Sequence, residues 1–151
     1  MTKRIDASQV PAVVGTSYPV PFDEPCKHRE RKRLGNAAGL EQFGVNLLRL
    51  PPGAWSSQRH WHTTEEEFVF VVSGEVVLVT DQGEELLHAG DSAGFSASDP
   101  NGHHLQNRSQ HDAVLLEVGS RRTDDAAFYS DIDMHLPAGS ETFTRRDGSP
   151  F

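Results

Sequence analysis

The stretch Phe68-Val69-Phe70-Val71-Val72-Ser73-Gly74-Glu75-Val76-Val77-Leu78-Val79-Thr80 decides the fold class. Two β-branched and aromatic runs flank a Ser-Gly-Glu turn, the pattern of short strands joined by a turn. The first run has no polar alternation, so both of its faces are expected to be covered. Working outward, similar short runs recur. Residues 45–50 read as a strand stopped by Pro51-Pro52-Gly53, and a turn at Asp81-Gln82-Gly83 leads to residues 84–87, ended by Gly90-Asp91. Residues 92–95, 103–107 and 113–118 complete the series. Strands this short, punctuated by Gly, Pro, Asp or Asn every ~8–12 residues, predict an all-β antiparallel sandwich or barrel.

The flanks have a different texture. In residues 1–43, Pro11, Pro19, Pro21 and Pro25 interrupt any helix and disfavour central strands. An irregular N-terminal arm is expected there, wrapping the barrel or a partner subunit through Val13, Val14, Tyr18, Val20 and Phe22. Residues 120–151 turn polar again and predict a C-terminal extension packing on the barrel, with one short helix near residues 124–129. At 151 residues and 36% apolar content, the chain holds enough for one core but not two. The expected organisation is one domain: arm 1–43, barrel 44–119, extension 120–151.

Charge and composition exclude several functions. Fourteen Lys and Arg against twenty-two Asp and Glu give a net charge of −8, which repels nucleic-acid phosphates and anionic lipid. The exception is Lys27-His28-Arg29-Glu30-Arg31-Lys32-Arg33, which reads as a solvated surface loop or a dimer-contact arm. No helix-turn-helix or zinc-finger pattern accompanies it. No apolar stretch is long enough to span a membrane, and Met1-Thr2-Lys3-Arg4-Ile5-Asp6 opens no secretory apolar region. A single cysteine, Cys26, rules out an internal disulfide framework, and a cytoplasmic location is expected. Without a secretory signal, the sequon Asn107-Arg108-Ser109 reads as chance.

The chemistry gathers around His60-Trp61-His62 and Glu67. On an extended segment, side chains at i and i+2 project to one face, so two imidazoles can converge on one metal ion. A nearby carboxylate can complete a facial set of three ligands. An H-x-H pair alone is weak, because surface or hydrogen-bonded histidines account for many of them.

The wider spacing adds specificity. Gly53-x6-His60-x-His62-x4-Glu67-x6-Gly74 resembles the first motif of the cupin superfamily, with one residue more between the Gly and the first His. Gly90-Asp91 opens what resembles the second motif, which ends in His103-x3-Asn107. Ser96-Ala97-Ser98 stands in the family's Pro-x-Gly place, and Asp99-Pro100-Asn101-Gly102 lengthens the turn by two residues. The resemblance covers roughly residues 44–119. It implies a cupin-type double-stranded β-helix (jelly-roll) barrel, a homodimer, and one divalent metal bound by His60, His62, Glu67 and His103. Three imidazoles and a carboxylate suit Fe, Mn, Ni, Co or Zn without choosing among them. A barrel that keeps these residues without the metal is the alternative.

Neighbours compete for two of these roles. Glu66 fits a shorter family spacing, but the gap to Gly74 favours Glu67. His104 becomes the fourth ligand if the lengthened turn shifts the register by one residue. Glu117, a carboxylate within an apolar run, is either an outward residue on an edge strand or a general base in the pocket with a raised pKa. Arg49 and Arg59 read as surface or ion-paired residues, or as a grip on an anionic substrate. Trp55 and Trp61 read as packing elements.

Two functions of different kinds remain. Small single-domain cupins of this kind are similar to those described as sugar-phosphate isomerase-like, so the resemblance implies a metalloenzyme acting on a small polar molecule, with aldose–ketose isomerisation leading. A metal-dependent dioxygenase is the close rival. The alternative is a non-catalytic module that binds or senses a small ligand around a structural metal. An inward Glu117 favours chemistry, and an outward one favours binding only.

Overall fold

The structure, a computed structural model, describes residues 2–151. Its strands are β1 (Ala12–Val14), β2 (Glu30–Arg33), β3 (Phe43–Leu50), β4 (His60–His62), β5 (Glu67–Ser73), β6 (Glu75–Thr80), β7 (Gly83–His88), β8 (Ser92–Phe95), β9 (His104–Gln106), β10 (Ala113–Ser120), β11 (Ala127–Tyr129) and β12 (His135–Leu136). They form a six-stranded sheet in the order β1-β2-β3-β10-β5-β8 and two three-stranded sheets, β7-β6-β9 and β12-β11-β4. Every pairing is antiparallel.

The core lies between the large sheet and the β7-β6-β9 sheet. Leu48, Leu50, Val71 and Leu115 from one side meet Val76, Leu78, Leu87 and Leu105 from the other. Alternation along each strand makes this possible, because every second side chain faces the same way. In β5, Val69 and Val71 point inward at 5% and 0% exposure, whereas Phe68, Phe70 and Val72 remain 43%, 38% and 49% exposed. The expectation that both faces of this run are covered therefore fails within the single chain: its outer face stays bare.

The turn from β5 to β6 needs a glycine. Gly74 has a φ of 76°, and a Cβ there would stand 2.6 Å from the Asp112 carbonyl oxygen. Asn107 closes the other end of the core. Its fully buried side chain donates to the carbonyls of Leu50 (2.8 Å) and His111 (2.7 Å), and accepts from the Ser109 backbone N–H (3.0 Å).

Both flanks are more ordered than expected. The arm supplies β1 and β2, and β2 pairs with β3 over four residues, Glu30 to Arg33 opposite Arg49 to Asn46. The prolines stand outside these strands, and β1 takes the sheet edge. A run of consecutive charges hides the strand, since β2 shows no apolar alternation. In the extension, residues 124–129 do not form a helix. Instead β11 pairs with β4 and β12, and Phe128 stacks on Trp61 at 5.0 Å. Tyr18 and Phe22 of the arm pack with Tyr129, Met134 and Phe143 of the extension in a second apolar cluster.

Removing the Asn107 side chain takes a donor from the buried Leu50 carbonyl and one of two from the His111 carbonyl, so Asn107→Ala is expected to cost about 2 kcal/mol of unfolding free energy. Urea denaturation measures it; an unchanged midpoint would show that the loop finds other partners.

Candidate metal centre

Strand β4 is too short to do more than present His60 and His62 on one face, their ring centroids 4.9 Å apart, with Trp61 on the other. Glu67 opens β5 across from them. His103 precedes β9 and exchanges both backbone hydrogen bonds with His60, at 2.9 and 3.2 Å. The His103 ring is stacked on Phe95, centroids 3.5 Å apart.

The three rings converge on a single atom. Glu67 Oε2 lies 2.7 Å from His103 Nε2 and 3.5 Å from both His60 Nε2 and His62 Nε2. The opposite ring nitrogens of two of them already have partners: His60 Nδ1 donates to the Gln58 carbonyl (2.9 Å) and His62 Nδ1 to Asp125 Oδ2 (2.6 Å). Those bonds place the proton on Nδ1 and turn the Nε2 lone pairs toward the carboxylate. Lone pairs facing lone pairs repel unless a proton or a cation lies between them. Nitrogen and carboxylate donors in this arrangement fit a divalent transition metal, and His60, His62 and Glu67 form a group compact enough to hold one.

Protons meet the same demand. Burial opposes charge on Glu67, but hydrogen bonds from His103, His60 and His62 hold its carboxyl well below the usual range. Burial likewise opposes protonation of His62, yet Glu67 and Asp125 outweigh it and push the imidazole up to about 9. His103 goes the other way, lowered by burial despite its bond to Glu67.

The competing candidates separate. Glu66 is exposed, while Glu67 faces the cluster. His104 points elsewhere: Nδ1 donates to the Ser57 carbonyl at 2.9 Å, Nε2 accepts from Gln106 at 3.0 Å, and the ring meets Trp55 edge-on at 4.7 Å. Burial pushes its pKa down to about 4.

A cavity of about 550 Å³ opens on the cluster, its walls including His60, Glu67, His103 and Glu117. Glu117 is not an edge residue: β10 is central, between β3 and β5. Its side chain faces inward and accepts from Arg31 Nε (2.8 Å) and Nη2 (3.2 Å). Arg49 and Arg59 take no part in this cavity. Arg49 pairs with Glu30 and Asp112, each at 2.6 Å, and Arg59 pairs with Asp131 at 2.8 Å and with Asp81.

The basic run is not a solvated loop: its second half is β2, paired with β3. Arg29 is buried, bonded to the carbonyls of Gly15 and Ser56, and Arg29, Arg31 and Arg33 all line the cavity. Their period of two was the available signal for a strand with one basic face. Asp125 was the other residue that sequence reasoning passed over. Besides His62, it accepts from the backbone N–H groups of Thr64 (2.9 Å) and Glu65 (3.0 Å), fixing the loop between the ligand-bearing strands.

The comparisons with known proteins agree with this architecture. Residues 46–119 match the family model of the cupin domain. A crystal structure of a sugar phosphate isomerase of the cupin superfamily from Silicibacter pomeroyi is 46% identical, with a TM-score of 0.93 over 99% of this chain and 96% of that one. The chain belongs to the cupin superfamily. It is also similar to a candidate sugar phosphate isomerase from Acidithiobacillus ferrooxidans, at 28% identity and a TM-score of 0.73, covering 82% of this chain and 80% of that one. A polyketide cyclase from Streptomyces resistomycificus shares the fold at 21% identity, TM-score 0.66 and 80% coverage of each chain. No curated protein matches the chain.

In chelator-treated protein, the His62 imidazole should titrate at about 9 rather than near its ordinary value, and Asp125→Asn should lower it. Because the folded value is raised, the protonated ring contributes stability below the ordinary histidine range, and that contribution disappears as pH rises through about 9. Nitrogen-15 NMR of the ring reads this directly; a midpoint near 6.5 would contradict the geometry of the Glu67 and Asp125 contacts.

Proposed function

We propose that this cupin is a metal-dependent enzyme that interconverts an aldose and a ketose phosphate. The observation that carries the reading is the shared cavity: Glu117 faces inward on the same wall system as His60, Glu67 and His103. The likeness to the Silicibacter pomeroyi sugar phosphate isomerase supports the substrate class.

In this reading His60, His62, Glu67 and His103 hold one divalent metal, and His104 does not. The ion would supply polarisation of a carbonyl oxygen of the bound sugar. Glu117 takes the proton from the carbon beside the carbonyl and returns it to the neighbouring carbon, while the hydroxyl proton passes to the former carbonyl oxygen. Arg31 occupies one lone pair on each oxygen of Glu117 and so fixes the carboxylate, leaving its remaining lone pairs for substrate. Asp125 acts through His62 by holding its ring and tautomer. The free, buried Cys26 fits a reducing compartment, and the cytoplasm is the location we propose. Among the described residues, no helix is long and apolar enough to cross a membrane.

Elemental analysis tests the ligand set: His103→Ala should lose stoichiometric metal and His104→Ala should keep it, and the reverse result would reassign the fourth ligand. For the reaction, the protein is incubated in D₂O with short aldose and ketose phosphates and followed by proton NMR. Interconversion with deuterium at the exchanging carbon is expected, and Glu117→Gln should slow it by about 10²–10⁴-fold with metal retained. Tight binding of these sugars without exchange would instead make the protein a binding module.

We also propose a homodimer, with a second copy covering the bare outer face of the six-stranded sheet. Phe68, Phe70 and Val72 stand there beside Leu116 and Val118, and Val14 of the arm continues the same face at the edge. An exposed apolar patch of this kind on a sheet face is typical of an interaction surface. Phe70→Glu should yield monomers in sedimentation at micromolar concentration; an unchanged sedimentation coefficient would remove this face from the interface.

A further inference from the structure

We propose that Arg33 and Arg121 form an anion subsite at the far side of the cavity, where they hold the phosphate monoester of the substrate. The inference rests on the cavity being the substrate site, and it adds where the charged end of that substrate lies.

The argument comes from the register of the large sheet. Residues directly opposite one another in an antiparallel pair share a face. Glu67 of β5 is opposite Gly119 of β10, which is opposite Gly44 of β3. The row that starts at the metal cluster therefore continues across two strands without side chains. A Cβ on Gly119 would lie 3.8 Å from Glu67 Cγ, so the glycine opens space beside the carboxylate. A Cβ on Gly44 would lie 3.6 Å from both Nε and Nη2 of Arg121. The guanidinium of Arg121 thus stands at the end of a glycine floor that leads away from Glu67.

The neighbouring inward row repeats the polarity. Glu117 of β10 is opposite Asn46 of β3, and Asn46 is opposite Arg33 of β2. Carboxylates lie on the β5–β10 side of both rows, and guanidiniums at the β2–β3 side. Two inter-strand spacings separate the sides, about 10 Å. That arrangement suits a short, extended ligand with its reacting carbons at Glu67 and Glu117 and its charge at the arginines.

These two arginines are available. Arg31 is committed to Glu117, but Arg33 and Arg121 have no carboxylate partner among the described residues. Arg121 is steadied by the Leu40 carbonyl at 3.1 Å and by Asn36 Oδ1, and its Nε remains unused. On a chain with a net charge of −8, a cavity wall with unpaired guanidiniums is a local reversal of sign that favours an anion. Planar guanidinium forks match phosphate oxygens bidentately.

The test uses the full-length metal-loaded protein and isothermal titration with inorganic phosphate at low ionic strength. Arg33→Gln, which removes no bond within the protein, should weaken phosphate binding at least about tenfold. Melting temperature and metal content should stay as in the wild type. Arg121→Gln should weaken phosphate binding likewise, with a lower melting temperature because its bonds to the Leu40 carbonyl and Asn36 are lost, and the ion-paired Arg49→Gln should leave binding unchanged. Equal phosphate affinity in wild type and a folded Arg33→Gln, or no phosphate binding by wild type, overturns the subsite. The isomerase reading fails separately. If no sugar phosphate is turned over but Arg33→Gln still loses phosphate, the subsite stands without that reaction. If turnover proceeds and KM for phosphorylated sugars is the same in Arg33→Gln, the reaction stands and the subsite falls.

Discussion

Three imidazole nitrogens face one oxygen of Glu67, and that crowding is the constraint around which the rest of the chain is arranged. The rings come from a three-residue strand and from a residue bridged to it, while the carboxylate begins a strand of the large sheet. Each sheet is unremarkable alone. Their packing, through Leu48, Val71 and Leu115 against Val76, Leu78 and Leu105, holds nitrogen and oxygen donors at a distance that only positive charge makes favourable. The fold's apolar core and its polar site are thus two halves of one arrangement.

Much of this was legible before any coordinates. The runs on either side of Gly74 read as strands, and 68–72, 76–80 and 92–95 lie within observed strands, although β5 and β6 enter different sheets rather than pairing with each other. His60 and His62 were legible from period-two spacing and Glu67 from the resemblance to the first cupin motif, and the structure brings the three together. What stayed hidden was hidden for identifiable reasons. β2 is made of charged residues on both faces, so binary patterning sees a loop where cross-strand pairing to β3 makes a strand. β11 is only three residues long and is stabilised by pairing with β4 rather than by its own sequence. Phe68, Phe70 and Val72 look buried by composition, but burial depends on what covers a face, and within one chain nothing does.

Glu117 shows the limit of reading one residue at a time. Its inward direction follows from β10 lying between β3 and β5, a long-range order that local sequence does not encode. Its bond to Arg31 spans 86 residues and joins the basic run near the start of the chain to an apolar strand near its end. A run that read as a solvated surface loop or a dimer-contact arm instead sends Arg29 and Arg31 into the interior wall. The interior wall thus carries both signs, guanidiniums beside the carboxylates of Glu67 and Glu117, in a chain whose net charge is −8.

The Asp125 contact reaches further than its 2.6 Å length suggests. The carboxylate that orients His62 is made 63 residues after it, so a ribosome has released both cupin motifs before the ring acquires its partner. The same carboxylate accepts from the Thr64 and Glu65 backbone N–H groups, so the pairing of β11 with β4 fixes the loop and the ring together. The orientation of His62 is therefore complete only when the segment that follows the second cupin motif has folded back onto β4.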